Sequence, residues 1–137
     1  MRAWRRKNAA GLISLLIYSG IFALSSLPAK ALPTSVPDIL PHFLEYALLA
    51  FFFIQVFPSP EKPRVMAKAL VWLILLAALD ELHQWFVPSR FCSLKDLLVD
   101  ASGSLAGVAA WFALRRWAAR PQRPAWARRL HDFFFNA

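Results

Sequence analysis

Apolar residues gather into four runs, Ala9 to Leu27, Phe43 to Phe57, Val65 to Leu79 and Leu97 to Leu114, with prolines and charged residues between them. A helix that crosses a bilayer needs about 20 predominantly apolar residues, each adding ~1.5 Å of rise. The two middle runs are short. They reach span length only by taking in the polar residues at their ends, which puts those residues at or inside the membrane boundary. The connections "LPAKALPTSVPDILP" and "FPSPEKP" cannot continue a helix, because proline lacks the N–H donor and its ring collides with the preceding turn. The pattern predicts an all-α protein. Residues 1–119 form a bundle of four transmembrane helices with Pro-rich connections, and residues 120–137 form a basic aromatic tail.

Composition agrees with that pattern. Of 137 residues, 58% are hydrophobic and 15% aromatic. The mean hydropathy is +0.45, too apolar for an ordinary soluble domain of this length. A net charge of +8 would point to nucleic acid in a soluble chain; in a membrane protein, basic residues first report topology. Most of the 16 Lys and Arg residues fall into three groups. Arg2, Arg5, Arg6 and Lys7 precede the first run, Lys62, Arg64 and Lys68 flank the second connection, and Arg115, Arg116, Arg120, Arg123, Arg128 and Arg129 follow the fourth run. Only Lys30, Arg90 and Lys95 lie in the first and third connections. The positive-inside rule then predicts cytoplasmic N and C termini, with those two connections facing outward.

The basic head, apolar stretch and small residues flanking Lys30 also have the outline of a cleavable signal peptide. The run is long for a signal and prolines surround the cut, so it is read as a span; the later topology is the same either way. Cys92 stands alone, which excludes an internal disulfide, and is read as a loop thiol.

Polar residues concentrate at the outward helix ends. His42, Glu45 and Tyr46 share one face of the second helix at i, i+3 and i+4. Asp80, Glu81, His83 and Gln84 close the third helix. Asp96 and Asp100 open the fourth, and Gly103 and Gly107 continue their stripe as a close-packing face. Three helices thus bring ionisable groups to one leaflet, with Arg90 in the short loop between two of them. Such groups are expensive in hydrocarbon and are expected to converge. The spacing predicts one cluster of Glu45, Glu81, Gln84, Arg90 and Asp96. Arg90 is its natural bidentate partner for a carboxylate or an incoming anion.

The segments "DILPHFLEYALL" and "LDELHQWFVPSRFCSLKDLLVDASGSLAG" resemble the VanZ-like family of small bacterial membrane proteins, named after a protein associated with teicoplanin resistance. The resemblance covers roughly Pro37 to Leu114. Its specific part is Asp80, Glu81, Gln84, Pro88, Arg90, Asp96, Asp100, Gly103 and Gly107 at the family's spacing. Three positions depart from it: Ile39 where Lys often follows the acidic residue, Ser89 where Gly commonly precedes the Arg, and Asp100 where Asn is frequent. The resemblance implies a multi-pass protein of the bacterial cytoplasmic (inner) membrane and an effect on glycopeptide susceptibility. It names a scaffold more firmly than a reaction.

Several uses of the cluster stay open. Ligand contacts are expected from His42, Glu45, Tyr46, Asp80, Glu81, Gln84, Arg90, Asp96 and Asp100, with an envelope lipid headgroup, a lipid-linked intermediate or a glycopeptide as the partner. Carboxylates and histidines in a low-dielectric pocket also suit acid–base chemistry. Ser89, Ser93, Ser102 and Ser104 stand in no recognisable triad context. A scaffold locked by ion pairs is the third option. No cofactor is expected and no metal: "DELHQ" lacks the second histidine of the H-E-x-x-H pattern, although Asp80, Glu81 and His83 could join His42 around an ion. The tail "RRWAARPQRPAWARRLHDFFFNA" suits an anionic lipid surface rather than nucleic acid, with His131 solvated.

Overall fold

The computed structural model describes residues 2–28, 39–120, 122, 124–127 and 129, with nothing said of the side chains of residues 2–6. Residues 29–38 of the first connection, with Lys30 and Asp38, and most of the tail, with His131, lie outside the described residues. Four helices follow in order: α1 (Arg2–Ser25), α2 (Ile39–Phe53), which tightens into a 3₁₀ turn at Ile54–Val56, α3 (Pro63–Gln84) and α4 (Leu94–Ala118).

Each helix runs past its apolar stretch into the flanking polar residues. Pro63 opens α3 at a position where its missing N–H is not needed. Ser93 caps α4, its Oγ accepting the Asp96 N–H at 3.2 Å, and Asp96 in the first turn complements the positive end of the helix dipole.

Among the described residues, three helical segments are long and apolar enough to cross a membrane: Lys7–Ser25, Ile39–Val56 and Leu94–Ala118. The pattern predicts four; α3 falls short because its 22 residues include Arg64, Lys68, Asp80 and Glu81. The exterior fits a lipid surroundings: Leu12, Leu16, Leu48, Val71, Trp72, Leu75, Leu98 and Leu105 are all exposed. Inside, Tyr46, Leu49, Ile54, Leu73, Ala77, Val108 and Trp111 form the apolar core. Polar groups are buried with them, which is the reverse of a soluble protein's surface rule.

The most extensive helix contact is between α2 and α4. Its cause is Gly103 and Gly107. A Cβ at Gly103 would collide with the carbonyl oxygen of Phe43, and one at Gly107 with that of Ala47. Both registers ascend together, so the two helices run parallel. At the far end of α4, Arg115 donates from Nη1 to Glu61 at 3.0 Å, tying it to the connection between α2 and α3. The Glu61 backbone N–H and then Arg115 hold that carboxyl below its usual range.

Candidate functional site

The ends of all four helices meet at the opposite end of the bundle. Ser26 Oγ lies 2.9 Å from His83 Nε2, and Arg90 Nε donates to the Leu27 carbonyl at 3.3 Å. These contacts bring the residues just past α1 against the last turn of α3 and the α3–α4 loop. The loop turns at Val87 to Arg90, where the Arg90 N–H returns to the Val87 carbonyl at 3.1 Å. Pro88 takes the second position and Ser89 the third, with φ 64°. Such a turn favours glycine at that third position.

Polar side chains here divide into two networks. In the first, Ser25 Oγ donates to Asp80 Oδ2 at 2.7 Å, and Gln84 Nε2 donates to the same oxygen at 3.2 Å and to Ser25 Oγ at 3.4 Å. All three residues are buried. In the second, His42 Nδ1 lies 3.1 Å from Asp100 Oδ1, and Glu81 Oε2 accepts the Ser93 N–H at 2.7 Å. His42, Glu81 and Asp100 each present a ligand atom, and these three atoms lie within 4.8 Å of one another. Asp100 and Glu81 are buried, whereas the His42 side chain keeps 12% of its surface exposed.

The two networks separate because adjacent helical residues point about 100° apart. Asp80 and Gln84 share a face toward α1; Glu81, one residue on, faces α2 and α4. Several oxygens in this interior have no hydrogen-bond partner among the described residues: Asp80 Oδ1, Glu81 Oε1, Asp100 Oδ2, Tyr46 Oη and Ser104 Oγ. Tyr46 and Ser104 lie one turn further into the bundle than His42 and Asp100.

Of the residues expected in one cluster, Glu81 and Gln84 are buried but belong to different networks. Glu45 and Asp96 are half-buried and make no side-chain hydrogen bond among the described residues. Arg90 forms no ion pair with a described carboxylate; its Nε meets a backbone carbonyl instead. His83 stacks on Phe22 with ring centroids 4.1 Å apart, away from His42. Asp100, rather than Asp80 and His83, stands with His42 and Glu81.

Ser25 and Ser93 are the members that residue spacing does not reveal. The signal for Ser25 is the hydroxyl pair "SS" ending an apolar helix; for Ser93 it is Asp96 three residues later, the mark of a capped helix start. What their hydrogen bonds reach, 55 and 12 positions away in the chain, no local pattern states.

The family model described as VanZ/LLP1 matches residues 38–115, which hold α2, α3, most of α4 and every residue of both networks except Ser25. No curated protein and no solved structure matches the chain.

Proposed function

Because the chain belongs to the VanZ/LLP1 family, we propose that its polar end is an outward-facing site that binds the headgroup of an anionic envelope lipid or a glycopeptide-like ligand. Arg90 carries this reading. Only its Nε is engaged, so the two terminal nitrogens of the guanidinium have no acceptor among the described residues, at the rim of a buried polar interior. A planar fork in that position matches a phosphate or carboxylate bidentately. A bundle locked by ion pairs would use this arginine on a carboxylate, and among the described residues none pairs with it.

The membrane arrangement follows from the same residues. We take α3 to cross alongside the other three helices: its 22 residues span ~33 Å at helical rise. Asp80, Glu81 and Gln84 turn inward, where lipid does not meet them. Trp85, Phe86 and Phe91 stand exposed in the loop beyond, as aromatic residues do at a headgroup interface. The distribution of basic residues supports an orientation with this end outside the cytoplasmic membrane and both termini inside. The arginines and aromatic residues of the tail sequence support contact with anionic lipid.

The test is glycopeptide susceptibility of bacterial cells expressing the protein. Expression shifts susceptibility, and Arg90→Lys abolishes the shift at equal membrane abundance, because lysine keeps the charge but loses the fork. A full effect from Arg90→Lys contradicts a geometric role for Arg90.

The contact of His42 with buried Asp100 favours a second reading, acid–base catalysis on a bound headgroup. Glu81→Gln separates the two. Its amide oxygen still accepts the Ser93 N–H, so binding persists, whereas turnover that needs a second carboxylate stops.

A further inference from the structure

We infer that His42, Glu81 and Asp100 form a binding site for one divalent transition-metal ion of the Zn²⁺ or Mn²⁺ class. The inference is independent of the headgroup reading and uses different side chains from Arg90. It also departs from the expectation that the chain holds no metal.

Three helices supply the ligands: His42 from the first turns of α2, Glu81 from the end of α3 and Asp100 from α4. Their ligand atoms lie within 4.8 Å of one another. Two atoms bound to one zinc ion at about 2.0–2.2 Å stand roughly 3.0–3.5 Å apart at right to tetrahedral angles. His42 Nδ1 and Asp100 Oδ1, at 3.1 Å, already have that separation, and only the Glu81 carboxylate has to close in.

A second observation points to a ligand. Glu81 Oε1 and Asp100 Oδ2 are both fully enclosed and accept no hydrogen bond from a described residue, although their residues are 2% and 0% exposed. No Lys or Arg forms an ion pair with either carboxylate among the described residues. A divalent cation held by the three ligand atoms gives the orphaned oxygens a partner.

The donor set selects the class of ion. One imidazole nitrogen with two carboxylates suits zinc or manganese, whereas calcium and magnesium favour all-oxygen sites. Three protein ligands leave a coordination position, and His42 supplies the only partly exposed edge of the trio. That arrangement resembles a zinc site open to an outside molecule rather than a closed structural one.

The test uses the full-length protein in detergent, stripped with chelator and titrated with Zn²⁺, Mn²⁺ or Co²⁺ alone. One equivalent of Zn²⁺ should bind and raise the melting temperature. Glu81→Gln and His42→Ala should each weaken binding at least tenfold, while Asp80→Asn and Arg90→Ala leave it within twofold. If those two ligand variants fail to fold, the wild-type protein decides the matter: the Mn²⁺ adduct should show imidazole nitrogen coupling in electron spin-echo spectra. Absence of binding at micromolar metal, unchanged affinity in Glu81→Gln, or Mn²⁺ without nitrogen coupling would each overturn the site. Loss of headgroup binding in Arg90 variants with metal binding intact would leave this inference standing and bear only on the other.

Discussion

His42 Nδ1 reaches Asp100 Oδ1 at 3.1 Å because two glycines, one and two turns further along α4, let its backbone touch that of α2. The stripe Asp96, Asp100, Gly103, Gly107 is therefore a single device. Its lower half sets the distance between the helices, and its upper half uses that distance to bring an imidazole against a buried carboxylate.

The glycine contact predicts a change of sign between helices. Alanine for glycine in an unobstructed helix interior stabilises by about 0.5–1 kcal/mol. Gly11 and Gly20 of α1 have nothing within 4 Å of an added Cβ, so Gly11→Ala and Gly20→Ala should raise the unfolding midpoint slightly. Gly103→Ala and Gly107→Ala should lower it, since overpacking against a backbone carbonyl costs about 1–3 kcal/mol. Thermal melts of the four variants in one detergent check this. Stabilisation by Gly107→Ala would show that α2 does not press on that face.

Ser89 predicts the opposite kind of change. Its φ of 64° lies in the left-handed region, which costs a residue with a Cβ roughly 1–2 kcal/mol. Ser89→Gly should therefore stabilise the folded protein by up to about 1 kcal/mol after glycine's greater freedom in the unfolded chain is deducted. The same strain is why glycine suits this third position of the turn better than serine. Chemical or thermal unfolding measures it, and destabilisation by Ser89→Gly would contradict the turn geometry.

Topology is read through Cys92, which is exposed in the α3–α4 loop. A membrane-impermeant maleimide should label it from outside intact cells, while a reporter fused after Ala137 stays cytoplasmic. Labelling only after permeabilisation would invert the proposed orientation.

How far the sequence discloses this arrangement depends on the kind of contact. The helices are legible because apolar runs and prolines are local signals. Their ends are not: α2 starts at Ile39, before the run that begins at Phe43, because it takes in His42 and Pro41. The sharing of a face by Asp80 and Gln84 follows from helical spacing. The division of "DE" between two neighbours does not, since spacing fixes the angle between Asp80 and Glu81 but not the rotation of α3 against α1, α2 and α4. Arg90, expected to serve a carboxylate or an incoming anion, meets among the described residues the Leu27 carbonyl, because the Val87 to Arg90 turn sets where the side chain starts.

The most direct test of the central claim, an anion-binding site at the polar end with Arg90 as its contact, is native mass spectrometry of the detergent-purified protein with added phosphatidylglycerol or phosphatidylcholine. A hydrogen bond to a charged group contributes about 1.5–3 kcal/mol, which corresponds to roughly ten- to hundredfold in affinity. The account predicts one retained phosphatidylglycerol per wild-type protein, preferred over phosphatidylcholine, with retention falling by at least tenfold in Arg90→Ala at unchanged thermal stability. Equal retention of the two lipids, or undiminished phosphatidylglycerol in Arg90→Ala, would contradict it.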